Sequence, residues 1–514
     1  MYMKKIFFVL TILTAIAFSS CANLLVSNPN GSTVSEEQLQ KSIRELDARV
    51  NGLYYAMNAL TTYLGAQKYI DVYTDVLASD VAIPSPNWGF FYAAEQGRGA
   101  DETAGFNGLI WQYSYILIRN ANLLIARCDT ILNTPGGLDE EDTNTANRAL
   151  AHAYGMRGYA YYMLTNFYTD AAKLDANILP YYNEENYKEV QRLSSYKYII
   201  PLAISDLERA IDMLKEYQPK VANQKSYMNA DIAKMILAYL RMNKAIIFDP
   251  SDRTNDIGEA LRLVKEVIGT GEYPILPYKE VLTNGFNTVV KSQNWIWAVD
   301  VAAETSRQIN SFWSLADIYT YGYAAAGEYF AIDANLYNSF DTKLSATDIR
   351  KKWWNHSANN NVEAGFALAP VNKFFDPNRK VNADKAWLND LVYMRIEEAY
   401  LLAAEASFAL GDETNAKAYI KTLVANRDTD PATMTKIDGM SGTTLKEYIA
   451  SNWRIEMWLE GKNYMAMRRF GWSHTRGKNH SARKDRPISA ADLGAFSTPY
   501  SERQTNPYID TPVE

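Results

Sequence analysis

The sequence predicts a mainly α-helical protein. Four tetratricopeptide-like helix pairs would form a scaffold, and a less regular, loop-rich inserted region with a few short strands would sit on it. Three observations predict this. Apolar residues recur at i, i+3/i+4 spacing through long stretches. Those stretches come as pairs with short connections and Ala or Gly at close-contact positions. The periodicity then breaks down over about 272–392, where turn residues and aromatic rings crowd together.

Composition narrows the class further. With 47% hydrophobic and 22% charged residues among 514, the chain is not disordered throughout. Acids outnumber bases, 59 to 52, for a net charge of -7. A nucleic-acid binder would need a basic stripe instead. Two cysteines, Cys21 and Cys128, exclude a disulfide framework, and four histidines leave little material for a metal site. Tyr is unusually abundant, 36 against 18 Phe. Its apolar face and polar tip suit a wet recognition surface.

The first residues read as an address. Lys4 and Lys5 precede an apolar run, Ile6 to Phe18, too short to cross a bilayer as a helix. Ser19 and Ser20 then lead into Cys21, like the cleavage box of a bacterial lipoprotein. Residues 1–20 are therefore expected to be a signal peptide, Cys21 a lipidated first residue and 21–34 a polar tether. The body, 35–514, would be anchored to a membrane rather than spanning it.

The helices follow in order. Residues 35–64 carry Leu39, Ile43, Leu46, Val50 and Leu53 on one face and pair with 109–132. An aromatic loop, Pro84 to Tyr92, interrupts this pair. Residues 144–168, rich in Ala and Tyr, pair with 196–217. Residues 229–248 pair with 256–268, closed by Gly269-Thr270-Gly271. Residues 395–410 pair with 413–425, and 443–460 form a last long helix stopped at Gly461. Cys128 falls within an apolar helical pattern as an inert core thiol. Trp295 and Trp297 lie on a short strand-like run facing the core. The stretch from Trp472 to Glu514 reads as ordered loop.

Catalytic motifs are missing. There is no nucleophile elbow, Walker-type loop, dinucleotide turn or H-E-x-x-H helix. His474 and His480 stand six apart in a basic loop, a poor metal arrangement. Glu397, Glu398, Glu405, Glu456 and Glu460 have Arg nearby and read as surface or interhelix ion pairs. No enzyme, metal site or cofactor is expected; calcium is left open.

Several segments resemble the SusD/RagB family of bacterial outer-membrane, nutrient-binding lipoproteins. Arg395-Ile-Glu-Glu398-Ala-Tyr-Leu401-Leu-Ala-Ala404-Glu405-Ala406 is similar to one family helix. Trp453-Arg454-Ile-Glu456-Met-Trp-Leu-Glu460-Gly461 with Arg469 and Gly471 is similar to another. Ala151 to Tyr162, Asn229 to Leu240 and Thr505-Asn506-Pro507 fit as well, in the family's order. Asn463 and Ala466 stand where the signature has Arg and Asp. The resemblance implies a tetratricopeptide-like scaffold, no catalysis, and delivery of glycan to a partner SusC-type TonB-dependent transporter from a lipid anchor in the outer membrane. The acids that usually follow the lipidated cysteine are replaced by Ala22-Asn23-Leu24-Leu25.

A sugar ring offers apolar C–H faces to Tyr and Trp planes and hydroxyls to polar groups. The glycan-binding candidates are Trp88 and Tyr92 in the 84–92 loop, and Trp313, Tyr319, Tyr321 and Tyr323 in the insert. Asn87, Arg98 and Asn310 are their polar partners. These are read from the residues and not carried over from the family. The Trp88 and Trp313 loops are expected to converge on one face. Two other readings are a peptide- or protein-nutrient binder on the same scaffold, and a secreted glycoside hydrolase.

Overall fold

The computed structural model describes residues 43–59, 64–133, 138–217, 225–356, 363 and 365–509. The expected signal peptide, Cys21 and the tether lie outside the described residues.

Eight helices run as four pairs. α1 (Arg44–Ala59) packs on α3 (Gly105–Leu132), with a shorter α2 (Ala66–Leu77) between them in the chain. α4 (Glu140–Tyr168) packs on α5 (Tyr196–Tyr217), α6 (Ala230–Asn243) on α7 (Arg253–Gly269), and α8 (Ile396–Ala409) on α9 (Glu413–Val424). Between pairs, α3 meets α4, α5 meets α6 and α7 meets α8, so the scaffold is one unbroken run. Close approach explains the small residues on α4. A Cβ at Gly158 would stand 2.8 Å from Leu207 Cγ and 3.1 Å from the Ala203 carbonyl oxygen. Asp139 caps α4 by accepting from the Asp142 N–H at 2.7 Å, and the acidic first turn complements the helix dipole. Cys128 is buried in α3, as its apolar setting predicts, and burial pushes its thiol up to about 12.

Several boundaries differ from the sequence reading. α2 was not expected: nearly all its residues, including Gln67, Lys68, Asp71 and Asp75, are buried, so no polar face marks it. α6 does not run to residue 248 but ends in a wider turn, Lys244–Phe248. α10 (Pro431–Asp438) precedes α11 (Gly442–Glu456), which stops before residue 460. Leu459 and Gly461 both adopt positive φ, and a Cβ at Gly461 would stand 2.5 Å from Asp71 Cα. The turn carries Glu460 off the helix and starts α12 (Asn463–Phe470). The Asn463 and Gly461 amides donate to buried Asp75 at 3.3 and 3.0 Å. Asp75 has no ion pair among the described residues, and burial pushes its carboxyl up to about 8.

The strands form four two-stranded antiparallel sheets. β1 (Val81–Ala82) pairs with β5 (Ala331–Ile332), and β2 (Asn177–Pro180) with β3 (Leu193–Ser195). β4 (Trp295–Val299) pairs with β6 (Leu391–Arg395), burying Trp295 and Trp297 against the scaffold as expected. The expected C-terminal loop instead contains a hairpin of β7 (Ser473–Thr475) and β8 (Pro487–Ser489), with His474 on β7. A small second core, including Ile318, Tyr329, Val371 and Phe375, lies within the insert.

The glutamates form a buried interhelix network. Glu456 accepts from Arg395 Nη1 at 2.8 Å, Arg427 Nη2 at 2.8 Å and Arg350 Nη1 at 3.3 Å. Glu397 takes Arg427 at 3.0 Å, Glu460 takes Arg395 and Lys373 at 2.8 and 2.7 Å, and Glu405 takes Arg469 at 2.6 Å. Three guanidinium groups hold Glu456 well below the usual carboxylate range, against the effect of burial. Arg395 and Glu398 do not pair through their side chains. Glu398 caps α8 by accepting from the Arg395 backbone N–H at 2.8 Å, while it faces Lys462 and the Tyr239 hydroxyl.

Breaking this network should be costly. Arg427→Met takes one of three guanidinium groups from Glu456 and the closer of two from Glu397 in a buried, charge-matched network, and is expected to lower the unfolding free energy by about 3–5 kcal/mol. Lys421→Met removes an exposed pair with Asp438 and should change it by about 0–1 kcal/mol. Guanidinium titrations of both variants check this; equal losses would contradict it.

Candidate functional site

The β1–β5 ladder explains why two distant loops meet. Val81 opposes Ile332 and Ala82 opposes Ala331, antiparallel, so the chain leaving β1 runs beside the chain entering β5. Residues 83–92 therefore lie along 321–330. Pro84 and Pro86 stiffen the first loop, and a turn closes with the Gly89 N–H on the Pro86 carbonyl at 3.2 Å. The second loop folds tightly on the short helical turn Phe312–Ala316. The Ala324 N–H donates to the Ser314 carbonyl at 2.7 Å, and a Cβ at Gly322 would stand 2.7 Å from Ser314 Cα.

Glu328 fastens the loops together. Its buried carboxylate accepts from the Phe90 N–H at 2.8 Å and from the Trp88 N–H. Burial pushes this carboxyl up while the amides pull it down. The clamp leaves Trp88 half-exposed, at 51%, edge-on to Tyr323 with centroids 5.2 Å apart. Buried Phe90 supports Tyr323 from beneath at 4.7 Å. Asn87 is exposed next to Gly327, and Tyr92 is 39% exposed.

A second exposed cluster sits beside it in the chain. Tyr321, 45% exposed, meets Trp387 edge-on at 6.2 Å, and Lys385 Nζ lies within 6 Å of both rings. The Trp387 indole N–H donates to the Tyr321 carbonyl at 3.1 Å, and the Tyr321 N–H to the Asp384 carbonyl at 2.7 Å.

The other candidates are placed differently. Trp313 is buried among Phe312 and Phe374, its indole N–H spent on the Asn389 carbonyl at 3.0 Å. Its loop does converge with the Trp88 loop, but through Tyr323 rather than Trp313. Tyr319 is buried in the second core. The Asn310 main-chain carbonyl accepts from the Leu64 N–H at 2.7 Å and the residue is half-buried, and exposed Arg98 pairs with Asp101 at 3.0 Å. Trp387 and Lys385 were missed. An aromatic and a base two apart in a turn-rich stretch were the available signal, and only pairing of 320–321 with 384 brings them to Tyr321.

A buried charge cluster underlies the first loop. Glu95 ends the turn Tyr92–Glu95 and accepts from the Ile83 N–H at 2.9 Å, closing the loop's base. The His480 ring bridges Glu95 at 3.0 Å and Asp333 at 3.1 Å, and Arg476 Nη1 stands 3.7 Å from Glu95. The two carboxylates hold the imidazole above its ordinary pKa despite burial and Arg476. Among the described residues no group of His, Cys, Asp or Glu side chains is gathered to hold a metal ion, and no helix is long and apolar enough to cross a membrane.

The His480 contact has a pH sign. The raised folded pKa means its stabilisation is fully present below the unfolded value of about 6.5. It is lost as pH rises through the folded value. The melting-temperature gap between wild type and His480→Gln should therefore be widest near pH 6 and narrow toward pH 9. A gap that widens over this range would contradict the bridge.

The fold is a repeat scaffold carrying an insert with paired rings at its surface. Comparison with known proteins makes it specific. The sequence model of the SusD family matches residues 284–509. A second, described as "Starch-binding associating with outer membrane", matches residues 35–237. Together they take in most of the chain, and the chain belongs to the SusD family. No curated protein matches it. A SusD superfamily protein from Bacteroides thetaiotaomicron VPI-5482 is similar over 92% of this chain and 100% of its own, with TM-score 0.72 and 19% identity. A SusD-like carbohydrate binding protein from Bacteroides vulgatus ATCC 8482 gives 91% and 97%, TM-score 0.70 and 19% identity. A structure with xylogluco-oligosaccharide gives 91% and 98%, TM-score 0.62 and 17% identity. At these identities the likeness shows the fold.

Proposed function

We propose that the chain is a non-catalytic, cell-surface glycan-binding lipoprotein. It captures oligo- or polysaccharide and passes it to a partner SusC-type TonB-dependent transporter in the outer membrane. The observation that carries the reading is the exposed Trp88 ring edge-on to the partly buried Tyr323 ring, held by the Glu328 clamp with Asn87 beside it. Two rings at an angle present apolar planes to the C–H faces of a sugar, and the amide and hydroxyl groups at their rim meet its hydroxyls. Rings already fixed by the fold lose little freedom on binding. The second pair, Tyr321 and Trp387, extends the surface. Starch binding in the family description and xylogluco-oligosaccharide in a structural relative support a carbohydrate as ligand.

Affinity and folding should separate on substitution. Trp88→Ala is expected to weaken the best glycan found on an array by about ten- to a hundredfold, taking about 1–3 kcal/mol for a stacked ring from base–aromatic stacking. Its melting curve should be unchanged. Trp313→Ala should instead lose about 3–5 kcal/mol of stability, as a buried ring does. Calorimetry and melting of both variants test the assignment; normal binding by Trp88→Ala and Tyr323→Ala would move the site elsewhere.

Anchoring has its own test. The charged start, short apolar run and Ser19-Ser20-Cys21 box motivate it. Cys21→Ala should abolish incorporation of a fatty-acid probe during growth, and equal labelling of mutant and wild type would refute the anchor.

A further inference from the structure

On the scaffold lies a cleft of about 1330 Å³, larger than an ordinary small-molecule pocket. α3 forms one wall with Gly108, Trp111 and Tyr115, and the 180–190 segment forms the other with Tyr182 and Tyr187. Trp111 and Tyr115, one turn apart, have ring centroids 5.0 Å apart, and Tyr182 stands edge-on to Tyr115 at 5.9 Å. The Tyr115 hydroxyl donates to the Pro180 carbonyl at 3.0 Å, which fixes that ring. We propose that this cleft is a second binding site for a neutral oligosaccharide. The inference rests on the glycan reading of the Trp88–Tyr323 surface and adds a separate foothold to it.

Four observations select that ligand. The walls are the partly exposed rings of Tyr115, Tyr182 and Tyr187, with Tyr115 and Tyr182 at an angle to one another and the buried Trp111 ring against Tyr115, an arrangement that offers planes to C–H faces. The rim carries both signs, Arg119 and Lys188 against Glu189 and Glu502, so no charged ligand is favoured. Peptide addition is not served, because the strand nearest the cleft ends at Pro180, which has no N–H, and Tyr115 takes its carbonyl. Glycine at 108 is unexplained by packing: it sits in a helix, where Gly is unfavourable, yet a Cβ there would meet nothing within 4 Å. It leaves that stretch of the α3 wall open. Tyr69, also on the cleft, lies 4.7 Å from Phe91, whose neighbour Phe90 supports Tyr323. The Phe90–Phe91 dipeptide thus packs one ring toward each surface, and two footholds on one polymer raise its apparent affinity through effective concentration.

The test uses the soluble chain labelled with 5-fluorotryptophan, with maltoheptaose and a xyloglucan heptasaccharide as probes. Trp111→Phe assigns the Trp111 fluorine resonance. In the Trp88→Ala background, that resonance is expected to shift with at least one probe. Gly108→Leu, whose side chain enters open space, should abolish the shift and weaken cleft binding at least tenfold. With Trp88 present, whose resonance Trp88→Ala assigns, Gly108→Leu should leave the Trp88 response and the melting curve intact; Gly105→Leu, beside the same open space, serves if Gly108→Leu does not fold. A silent Trp111 with a responsive Trp88 overturns the cleft and leaves the first surface standing. A Trp111 shift that survives both leucine variants also overturns the cleft. Silence of both resonances with both probes overturns the cleft and counts against the glycan reading with it.

Discussion

The Glu456 carboxylate is the constraint on which the scaffold and insert jointly depend. It sits on α11 and accepts from Arg395 at the β6–α8 junction, Arg427 after α9 and Arg350 in the insert. Each guanidinium then satisfies a further acid: Glu460, Glu397 and Asp348. Burial of so many charges is tolerable only because every one is matched, since ion desolvation is recovered only with close geometry. The network therefore ties the β6–α8 junction, the end of α9, α11 and the insert together through charge as well as through their common apolar core. It also orders the chain around residue 460: Glu460 must leave the α11 axis to reach both Arg395 and Lys373.

What sequence reasoning reads well is periodic. The four helix pairs and the core strand at Trp295 and Trp297 follow from the spacing of apolar residues. It fails where burial is complete. α2 carries Asp71, Asp75 and Lys68 on buried faces, so its pattern looks polar although its setting is not. The end of α11 was misjudged for the same reason. Glu460 reads as one more helical glutamate, whereas its partners lie across the fold.

The candidate surface divides on similar lines. Trp88, Tyr321 and Tyr323 are at the surface, while Trp313 and Tyr319 are core. All five come from aromatic, turn-rich sequence, and nothing local distinguishes a ring above a small core from one within it. Trp387 reaches Tyr321 only through a pairing between positions more than sixty residues apart. His480, read as one of two poorly placed loop histidines, proves to be the strut beneath the Trp88 loop.

The Glu328 clamp grips the 84–92 loop by its backbone amides alone. Nothing in that grip specifies which side chains the loop displays. Residues at 85, 87 and 88 are thus open to exchange by mutation while the loop's course is retained, with Pro84, Pro86 and Gly89 keeping the turn. Drift in these positions could retune the display without a new fold. A lineage exposed to changing surroundings would find variation concentrated here and constancy at position 328.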